Sequence, residues 1–285
     1  MSAYQFAAFT LELETPLHLG SGRAGMVAKS HAFVPGHLIG YAIATALGRD
    51  QGGQPGHFQQ ALAQVAAAAR FAPAFVLGRD GQIITDWAEN IERYLSGSAH
   101  VALHLASRSA VDGALFELEY LAPRHLRKPR HLCDPDKGQP LRLGGGLWRR
   151  EDKLGGKTWR EWLQLARLGG ELKAGYGVVR CVDWQKNPAS FHGWAKTDGS
   201  GLRLSPGERL WGAALDSVPG LANTPLRPWT GRRHDFSRGA AGFGQRLEQA
   251  ELVRLHGRYN SDDSLTVLPS PVEGSRWGCW EPADA

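Results

Sequence analysis

The segment LGGELKAGYGVVR, residues 168–180, is the stretch from which the rest of the sequence can be interpreted. It holds four glycines, and glycine lets the backbone adopt positive φ and lets a ligand approach the main chain closely. Exposed backbone N–H groups beside cationic side chains form a concave site for a phosphate group. The segment therefore predicts a phosphate-binding loop, to which these residues contribute: Gly169, Gly170, Lys173, Gly175, Tyr176, Gly177 and Arg180.

Positive charge is concentrated around this loop. The chain of 285 residues has a net charge of +5, but residues 121–180 alone carry 14 Lys and Arg against 6 Asp and Glu, a local charge of +8. Residues 227–258 carry 7 Arg against 3 acidic residues, a local charge of +4. Clustering of this kind is typical of proteins that bind a polyanion, so we predict a nucleic-acid partner, RNA. The alternative is a set of solvated basic faces without a ligand.

Composition disfavours several other classes of protein. No apolar run reaches the roughly 18 residues that span a bilayer, and the first residues lack the basic start of a secretion signal. Cys133, Cys181 and Cys279 are far apart and form no CxxC pair, which argues against a disulfide framework and against zinc. We therefore expect a cytoplasmic protein that binds no membrane, no metal and no small-molecule cofactor.

The apolar pattern predicts a mixed order of strands and helices. The elements are a strand at 6–19, helices at 37–47, 58–71 and 87–95, strands at 100–105 and 114–120, a helix at 159–168 and a strand at 178–184. A Pro-Gly step precedes the first helix, and Asp112–Gly113 is a hairpin-type turn signal between two strands. Residues 122–157 show little periodicity, and we predict a functional loop or hairpin there rather than core.

This order predicts the α+β class, with a ferredoxin-like (RRM-like) sheet that carries its helices on one face. We expect a ferredoxin-like domain at residues 1–184, with a basic insertion at about 122–157. A smaller β-rich or irregular RNA-binding part would follow at 185–285. Sheets of this type can present an open face or a loop rim to RNA.

A second glycine motif, GSGRAG at 20–25, matches the dinucleotide-binding pattern GxGxxG after a strand. That function requires a long helix opening at Gly25 and an acidic residue about twenty positions further on. Pro35 interrupts any such helix, and no Asp or Glu stands near that spacing. We therefore set the nucleotide-binding enzyme far behind the RNA-binding interpretation.

Three segments, in this order, carry a family resemblance: TPLHLGSG (15–22) with AFVPGHLIGYAIATAL (32–47), VDGALFELEYLAP (111–123), and the glycine-rich segment 168–180. They resemble the N-terminal signature, the mid-chain strand and the glycine-rich loop of the RAMP superfamily of CRISPR-associated RNA-binding proteins. The resemblance implies CRISPR repeat RNA or mature crRNA as the ligand and other CRISPR effector subunits as partners. It leaves two roles open. One is a repeat-RNA processing endonuclease, including the type IV version, and the other is a non-catalytic subunit of a type III-like or type IV effector complex, which caps the handle or lines the backbone.

The processing enzymes usually place a histidine shortly after the first strand. His31 and His37 stand there, with Arg23 and Lys29 beside them. Histidine can take and give the proton in RNA cleavage near neutral pH, and cations stabilise the charged phosphorane. On this basis we expect metal-independent cleavage that leaves a 2′,3′-cyclic phosphate, with the product retained in an effector complex. The central position of the glycine loop, with 105 residues (285 − 180) after it, departs from the processing enzymes and favours the subunit role.

Further RNA contacts are predicted from two other basic segments. Arginine suits bidentate contacts with phosphate, and Phe236 and Phe243 add surfaces on which bases could stack. The candidates in and beside these segments are Arg124, Arg127, Lys128, Arg130, Arg149, Arg150, Arg232, Arg233, His234, Arg238 and Arg246.

Overall fold

The structure is a computed structural model that describes residues 4–86, 91, 93–104, 106–126, 138–221, 223–233, 246–272 and 278–283. Its helices are α1 (Gly36–Asp50), α2 (Pro55–Ala68) and α3 (Trp159–Leu165), together with a 3₁₀ helix at Leu172–Ala174. Its strands are β1 (Gln5–Leu13), β2 (Gly20–Ala24), β3 (Val27–Ser30), β4 (Ala69–Phe71), β5 (Phe75–Val76), β6 (Leu95–Leu103), β7 (Ala110–Leu121), β8 (Arg142–Arg149), β9 (Lys153–Leu154), β10 (Lys157–Thr158), β11 (Val179–Lys186), β12 (Ser190–Phe191), β13 (Ala195–Asp198), β14 (Gly201–Leu204), β15 (Ala213–Leu215), β16 (Leu226–Arg233), β17 (Arg246–Leu255), β18 (Leu265–Pro269) and β19 (Trp280–Pro282). This content confirms the predicted α+β class.

The first sheet has the strand order β11-β1-β8-β4, and each neighbouring pair is antiparallel. Strand β5 pairs with β8 beside β4. Helices α1 and α2 connect β1 to β4 in the chain order, and α3 connects β8 to β11. The sheet therefore brings together strands that are far apart in the sequence.

Helix α1 begins where the Pro-Gly step predicts it. Pro35, the residue before the helix, has an extended conformation, and the helix starts at Gly36. Gly36 lies so close to the chain at Phe71 that a Cβ atom would collide with the Phe71 carbonyl oxygen. The helix buries Ile39, Ile43 and Leu47 along one side, at the i, i+4, i+8 spacing of a core-facing stripe. It runs to Asp50, three residues beyond the predicted end.

Both faces of the first sheet are buried, which differs from the open face expected from the sequence. Phe9, Leu11 and Leu13 of β1 pack into a core with the helices. Phe6 and Ala8, which point to the opposite face, pack into a second core with residues of the C-terminal strands. The C-terminal part therefore covers the face that sequence reasoning left available for RNA.

Strand β8 corrects the prediction that residues 122–157 are a basic insertion outside the core. Residues 143–149 of this strand are all buried, and it pairs with β1 in the middle of the first sheet. Its three consecutive glycines suggested a loop. They are required instead because the Phe9 ring lies over Gly145 and the Phe6 ring over Gly146, where a Cβ atom would stand.

A second sheet has the strand order β2-β3-β7-β6. The GSGRAG segment supplies β2, which forms a hairpin with β3 and opens no helix, so the dinucleotide-binding interpretation has no support in the structure. Asp112 and Gly113 lie inside β7, so the predicted turn there is wrong. The chain reverses earlier, where Arg108 adopts a positive φ of 53° and its N–H donates to the His104 carbonyl.

The C-terminal residues form a third sheet with the order β12-β13-β14-β18-β19-β15-β17-β16. The predicted boundary between residues 184 and 185 lies inside β11, a strand of the first sheet. Within the described ranges, no helix is long and apolar enough to cross a membrane.

Candidate nucleic-acid interface

The glycine-rich loop is held against the turn that follows β1. The Gly177 N–H donates to the Pro16 carbonyl at 2.8 Å, and the Gly170 N–H donates to the His18 carbonyl at 2.9 Å. The Val178 N–H donates to the Thr15 hydroxyl at 3.0 Å. The two segments that carry the family resemblance at the start and the middle of the chain are therefore one local structure.

The glycines of this loop have different roles. Gly169 and Gly177 adopt positive φ, at 75° and 78°, and a Cβ atom at either would collide with a carbonyl oxygen, that of His18 or of Leu168. These two glycines allow the chain to pack against itself rather than against a ligand. Gly175, with φ of 84°, has no atom within 4 Å of where its Cβ would stand, so the open backbone lies at the tip of the loop.

The second sheet approaches the same loop. The rings of Tyr120, at the end of β7, and Tyr176 meet edge to face with centroids 5.8 Å apart. His18 Nδ1 donates to the Glu119 carbonyl at 2.6 Å, and the Glu119 carboxylate accepts from Lys29 Nζ at 2.6 Å and from the Ser30 N–H at 3.1 Å. We call the surface formed by the loop tip 171–176, the β2–β3 hairpin and the end of β7 the rim.

Sequence reasoning missed the part that Glu119 and Tyr120 play in the rim. In the sequence they belong to a predicted strand, ELEY, and the alternation of Leu118 with Glu117 and Glu119 was the available signal. Leu118 is buried, as that alternation predicts. What the sequence could not provide was the neighbour, since the partner loop lies about fifty residues further along the chain.

Four cationic side chains lie on or beside the rim, and they differ in whether they form an ion pair. The Arg23 and Lys173 side chains are exposed. Lys29 forms an ion pair with Glu119, and Arg180 forms one with Glu12 at 2.6 Å. Exposed ion pairs contribute only about 0–1 kcal/mol, so a phosphate group could compete for either cation, but Arg23 and Lys173 are the more available of the four.

The two candidate catalytic histidines are packed into the protein. His31 lies between Phe33 and Trp229, with ring centroids 5.3 Å from each. His37 is buried in the first turn of α1, edge to face with Tyr41 at 5.9 Å and Trp229 at 6.2 Å. We call His31, Phe33, Trp229 and His256 the aromatic cluster, because Phe33 also contacts His256 at 5.4 Å.

Burial in the aromatic cluster, together with a smaller contribution from the nearby His18, lowers the pKa of His31 from 6.5 to about 4. The pKa of His256 is lowered to about 4 by the same desolvation, with smaller contributions from Arg209 and His31. An imidazole with so low a pKa is neutral at pH 7, so it could accept a proton as a base, but almost no imidazolium is present to protonate a leaving group as an acid. Arg23 and Lys29 lie on the neighbouring hairpin, but the described contacts of His31 are aromatic rings and backbone.

The other predicted basic residues fall into three groups. Arg149 is only 1% exposed and donates to Asp152 and Gln5. It is therefore a buried structural cation, and its prediction as an RNA contact is wrong. Arg150 and Arg124 are exposed; the Arg150 guanidinium lies over the Tyr4 ring, and Arg124 donates to the Gly138 carbonyl. Arg127, Lys128, Arg130, His234 and Arg238 lie outside the described residues.

Arg232, Arg233 and Arg246 belong to two paired strands rather than to a loop. In the register of β16 and β17, Arg232 is opposite Leu247, and Arg233 is opposite Arg246. Strand β16 also packs beside β2, the strand that carries Arg23. Strand β16 is therefore adjacent to the rim.

Within the described parts of the chain, no three His, Cys, Asp or Glu side chains come together as a metal site. Cys181 and Cys279 are both buried, and burial raises the pKa of the Cys181 thiol to about 11, so this side chain is not a ready thiolate ligand or nucleophile.

No protein-family model matches the chain, and no curated protein sequence matches it. Among solved structures, the chain is similar to one in the cryo-EM structure of the Type III-B Cmr-beta bound to cognate target RNA, with 11% identity over 65% of this chain and 61% of that one, at a TM-score of 0.42. It is also similar to a chain in the cryo-EM structure of the apo state of the Type III-B Cmr-beta, with 11% identity over 63% of this chain and 96% of that one, at a TM-score of 0.41. The chain thus spans less than two thirds of the first of these.

Proposed function

We propose that the chain is a CRISPR RNA-binding protein of the RAMP type that acts as a non-catalytic subunit of a type III-like or type IV effector complex. The observation that carries this proposal is the rim. The segments that resemble the RAMP signatures, TPLH, ELEY and the glycine loop, meet there through the hydrogen bonds of Pro16, His18 and Glu119. If the similarity of these three short segments to the RAMP signatures were random, there would be no reason for them to form one surface.

The first sheet supports a ferredoxin-like assignment for this part of the chain. The connection β1-α-β4-β8-α3-β11 with the strand order β11-β1-β8-β4 is a β-α-β-β-α-β path in which the last strand lies beside the first. In this arrangement the rim lies at the end of β1, where β1 leaves the first sheet and meets the glycine loop.

The chemistry of the rim suits a phosphate backbone with unstacked bases. Arg23 and Lys173 supply cations, the tip around Gly175 supplies open backbone, and Tyr120 and Tyr176 supply aromatic surface. Single-stranded RNA is bound by this combination of cations and aromatic rings. The packing of His31 in the aromatic cluster favours binding over proton transfer.

Charge reversal at the rim tests the RNA-binding proposal. The double variant Arg23→Glu/Lys173→Glu should bind single-stranded CRISPR repeat RNA at least about ten-fold more weakly near 0.1 M salt. Its plot of log affinity against log salt should be shallower by about 1.4, because each lost contact with a single strand removes about 0.7. Gel-shift or fluorescence-anisotropy titrations at several salt concentrations give both quantities.

The matched control is Arg49→Glu/Lys153→Glu, which makes the same change in net charge at exposed positions on α1 and β9. It should keep the slope of the native protein within experimental error. If both double variants lose affinity equally and show the same change in salt slope, RNA binding depends on the net charge of the protein and not on the rim. The proposal then fails.

A cleavage assay separates the subunit role from the processing role. We expect the purified protein to bind repeat RNA in EDTA at pH 7–8 without cutting it, because His31 is packed among aromatic rings with a pKa of about 4. His31→Ala should then have no effect on RNA length. Accumulation of a 2′,3′-cyclic phosphate product that His31→Ala abolishes would establish the processing enzyme instead.

A further inference from the structure

A separate cluster of polar residues lies on the outer face of the C-terminal sheet, away from the residues of the rim. In the register of four adjacent strands, Ser190 is opposite Lys196, Lys196 is opposite Arg203, and Arg203 is opposite Thr266. The intervening residues Phe191, Ala195, Leu202 and Val267 are buried in the second core. The alternation of strands therefore places this whole row on the outside of the sheet.

Two cations are neighbours in this row. Residues directly opposite each other have Cβ atoms about 4.5–5.5 Å apart, and like charges at that distance destabilise a sheet. No carboxylate in the described chain forms an ion pair with Lys196 or Arg203. Arg203 donates to the Ser264 hydroxyl at 3.1 Å, which orients the guanidinium without neutralising it. An anion bound between the two side chains would remove their repulsion.

The nearest acidic groups are already occupied. The Asp198 carboxylate accepts from the Ser200 N–H at 2.7 Å and from the Gly201 N–H at 3.2 Å, within the turn between β13 and β14. The Glu208 carboxylate, at the edge of the cluster, accepts from the Ser205 N–H at 2.7 Å. Both therefore shape the turns beside the row. Arg203 is near enough to Asp198 for its charge to contribute to the lowered pKa of that carboxyl, but neither carboxylate forms an ion pair with Lys196 or Arg203 among the described residues.

The row forms one wall of a cleft of about 440 Å³. Ser190, Ser205 and Ser264 line it beside the two cations, and Glu208 lines it as well. Trp194 forms an aromatic wall of the same cleft. Its ring contacts those of Phe191 at 5.6 Å and Phe75 at 6.0 Å, and its Nε1–H donates to the Arg209 carbonyl at 3.0 Å.

We propose that this cleft binds a nucleoside monophosphate unit, with the phosphate on Lys196 and Arg203 and the base against Trp194. Serine hydroxyls beside two cations supply hydrogen bonds to phosphate oxygens, and a fixed indole supplies a surface on which any base can stack. The cleft volume lies in the range of small-molecule sites. The same chemistry is offered by a free nucleotide and by the phosphorylated end of an RNA chain.

Titrations with defined probes test the site in the full-length protein. Adenosine monophosphate should bind about ten-fold or more tightly than inorganic phosphate, because stacking of the base on Trp194 adds to the phosphate contacts. Lys196→Gln/Arg203→Gln should weaken both probes at least ten-fold. Trp194→Leu should remove the advantage of the nucleotide over phosphate while leaving phosphate binding unchanged, and Trp194→Tyr should restore part of that advantage.

Two controls separate this site from the rim. The affinity for adenosine monophosphate should be unchanged in Arg49→Gln/Lys153→Gln, which removes two exposed cations elsewhere. It should also be unchanged in the rim variant Arg23→Glu/Lys173→Glu. The proposal is overturned if the nucleotide binds no more tightly than phosphate, or if the cleft variants bind as well as the native protein. The outcome does not depend on whether the rim binds RNA.

The source of the ligand is decided by a third comparison. If the cleft receives an RNA end, a ten-nucleotide RNA with a 5′-phosphate should bind more tightly than the same RNA without one. Lys196→Gln/Arg203→Gln should abolish this difference in affinity. Equal binding of the two RNAs, together with cleft-dependent binding of adenosine monophosphate, assigns the site to the free nucleotide.

Discussion

Replacing Gly177 with alanine should destabilise the protein by about 2–5 kcal/mol and should weaken RNA binding at the same time. A non-glycine residue at its φ of 78° costs about 1–2 kcal/mol, and the added Cβ would collide with the Leu168 carbonyl oxygen, which adds about 1–3 kcal/mol. The same residue holds the loop to the chain on both sides, since its N–H donates to Pro16 and its carbonyl accepts from Leu168. Urea unfolding and anisotropy titration measure the two effects.

Gly175→Ala is the matched control for this substitution. Gly175 has a φ of 84° in the same loop but has open space where its Cβ would stand, so the variant should lose only about 1–2 kcal/mol. A difference between the two variants therefore reports the collision rather than the backbone conformation. Equal losses would contradict the close approach of Gly177 to the Leu168 carbonyl oxygen.

Acidification should destabilise the protein well above the pH at which carboxylates titrate. His31 and His256 have a pKa of about 4 in the folded protein, against 6.5 in the unfolded chain. Stability from each histidine is complete above pH 6.5, falls as the unfolded chain takes up a proton, and is lost by about pH 4. The loss amounts to about 3 kcal/mol for each histidine, because one pKa unit corresponds to 1.36 kcal/mol.

Urea unfolding at pH 8, 7, 6 and 5 tests this expectation, since most carboxylates stay ionised over that range. Replacing His31 with phenylalanine keeps an aromatic ring in the cluster and should reduce the dependence of stability on pH by about one proton. His104→Gln, at an exposed turn, is the control and should leave that dependence unchanged. A native protein equally stable at pH 5 and pH 8 would contradict the burial of these two imidazoles in their neutral form.

The sequence predicted those elements whose own residues determine them. Helix α1 follows from the Pro35–Gly36 step and its apolar spacing, and β1 from its alternation. Strand β8 could not be predicted, because glycine has low strand propensity and the reason for Gly145 and Gly146 lies in the rings of β1 above them. Likewise, the local turn signal at Asp112–Gly113 produces no turn, since both residues lie inside β7, which pairs with β6 on either side of them.

The same limit applies to the site. The glycine loop was found because its composition is unusual, but two of its glycines serve contacts with Pro16 and His18 that no local pattern reveals. His31 was selected by its position after the first strand, whereas its environment is set by Trp229, almost two hundred residues later. Lys196 and Arg203 were overlooked because only the pairing of β13 with β14 makes them neighbours.

The strand order of the first sheet also determines when the protein can fold during its synthesis. Strand β1 leaves the ribosome first, but its partners β8 and β11 end at residues 149 and 186. Its second face is covered only when β13, β14 and β19 have been made, the last of them at residue 282. Loops of this length slow folding and leave apolar strands exposed, so the nascent chain should depend on chaperones until β19 has been made.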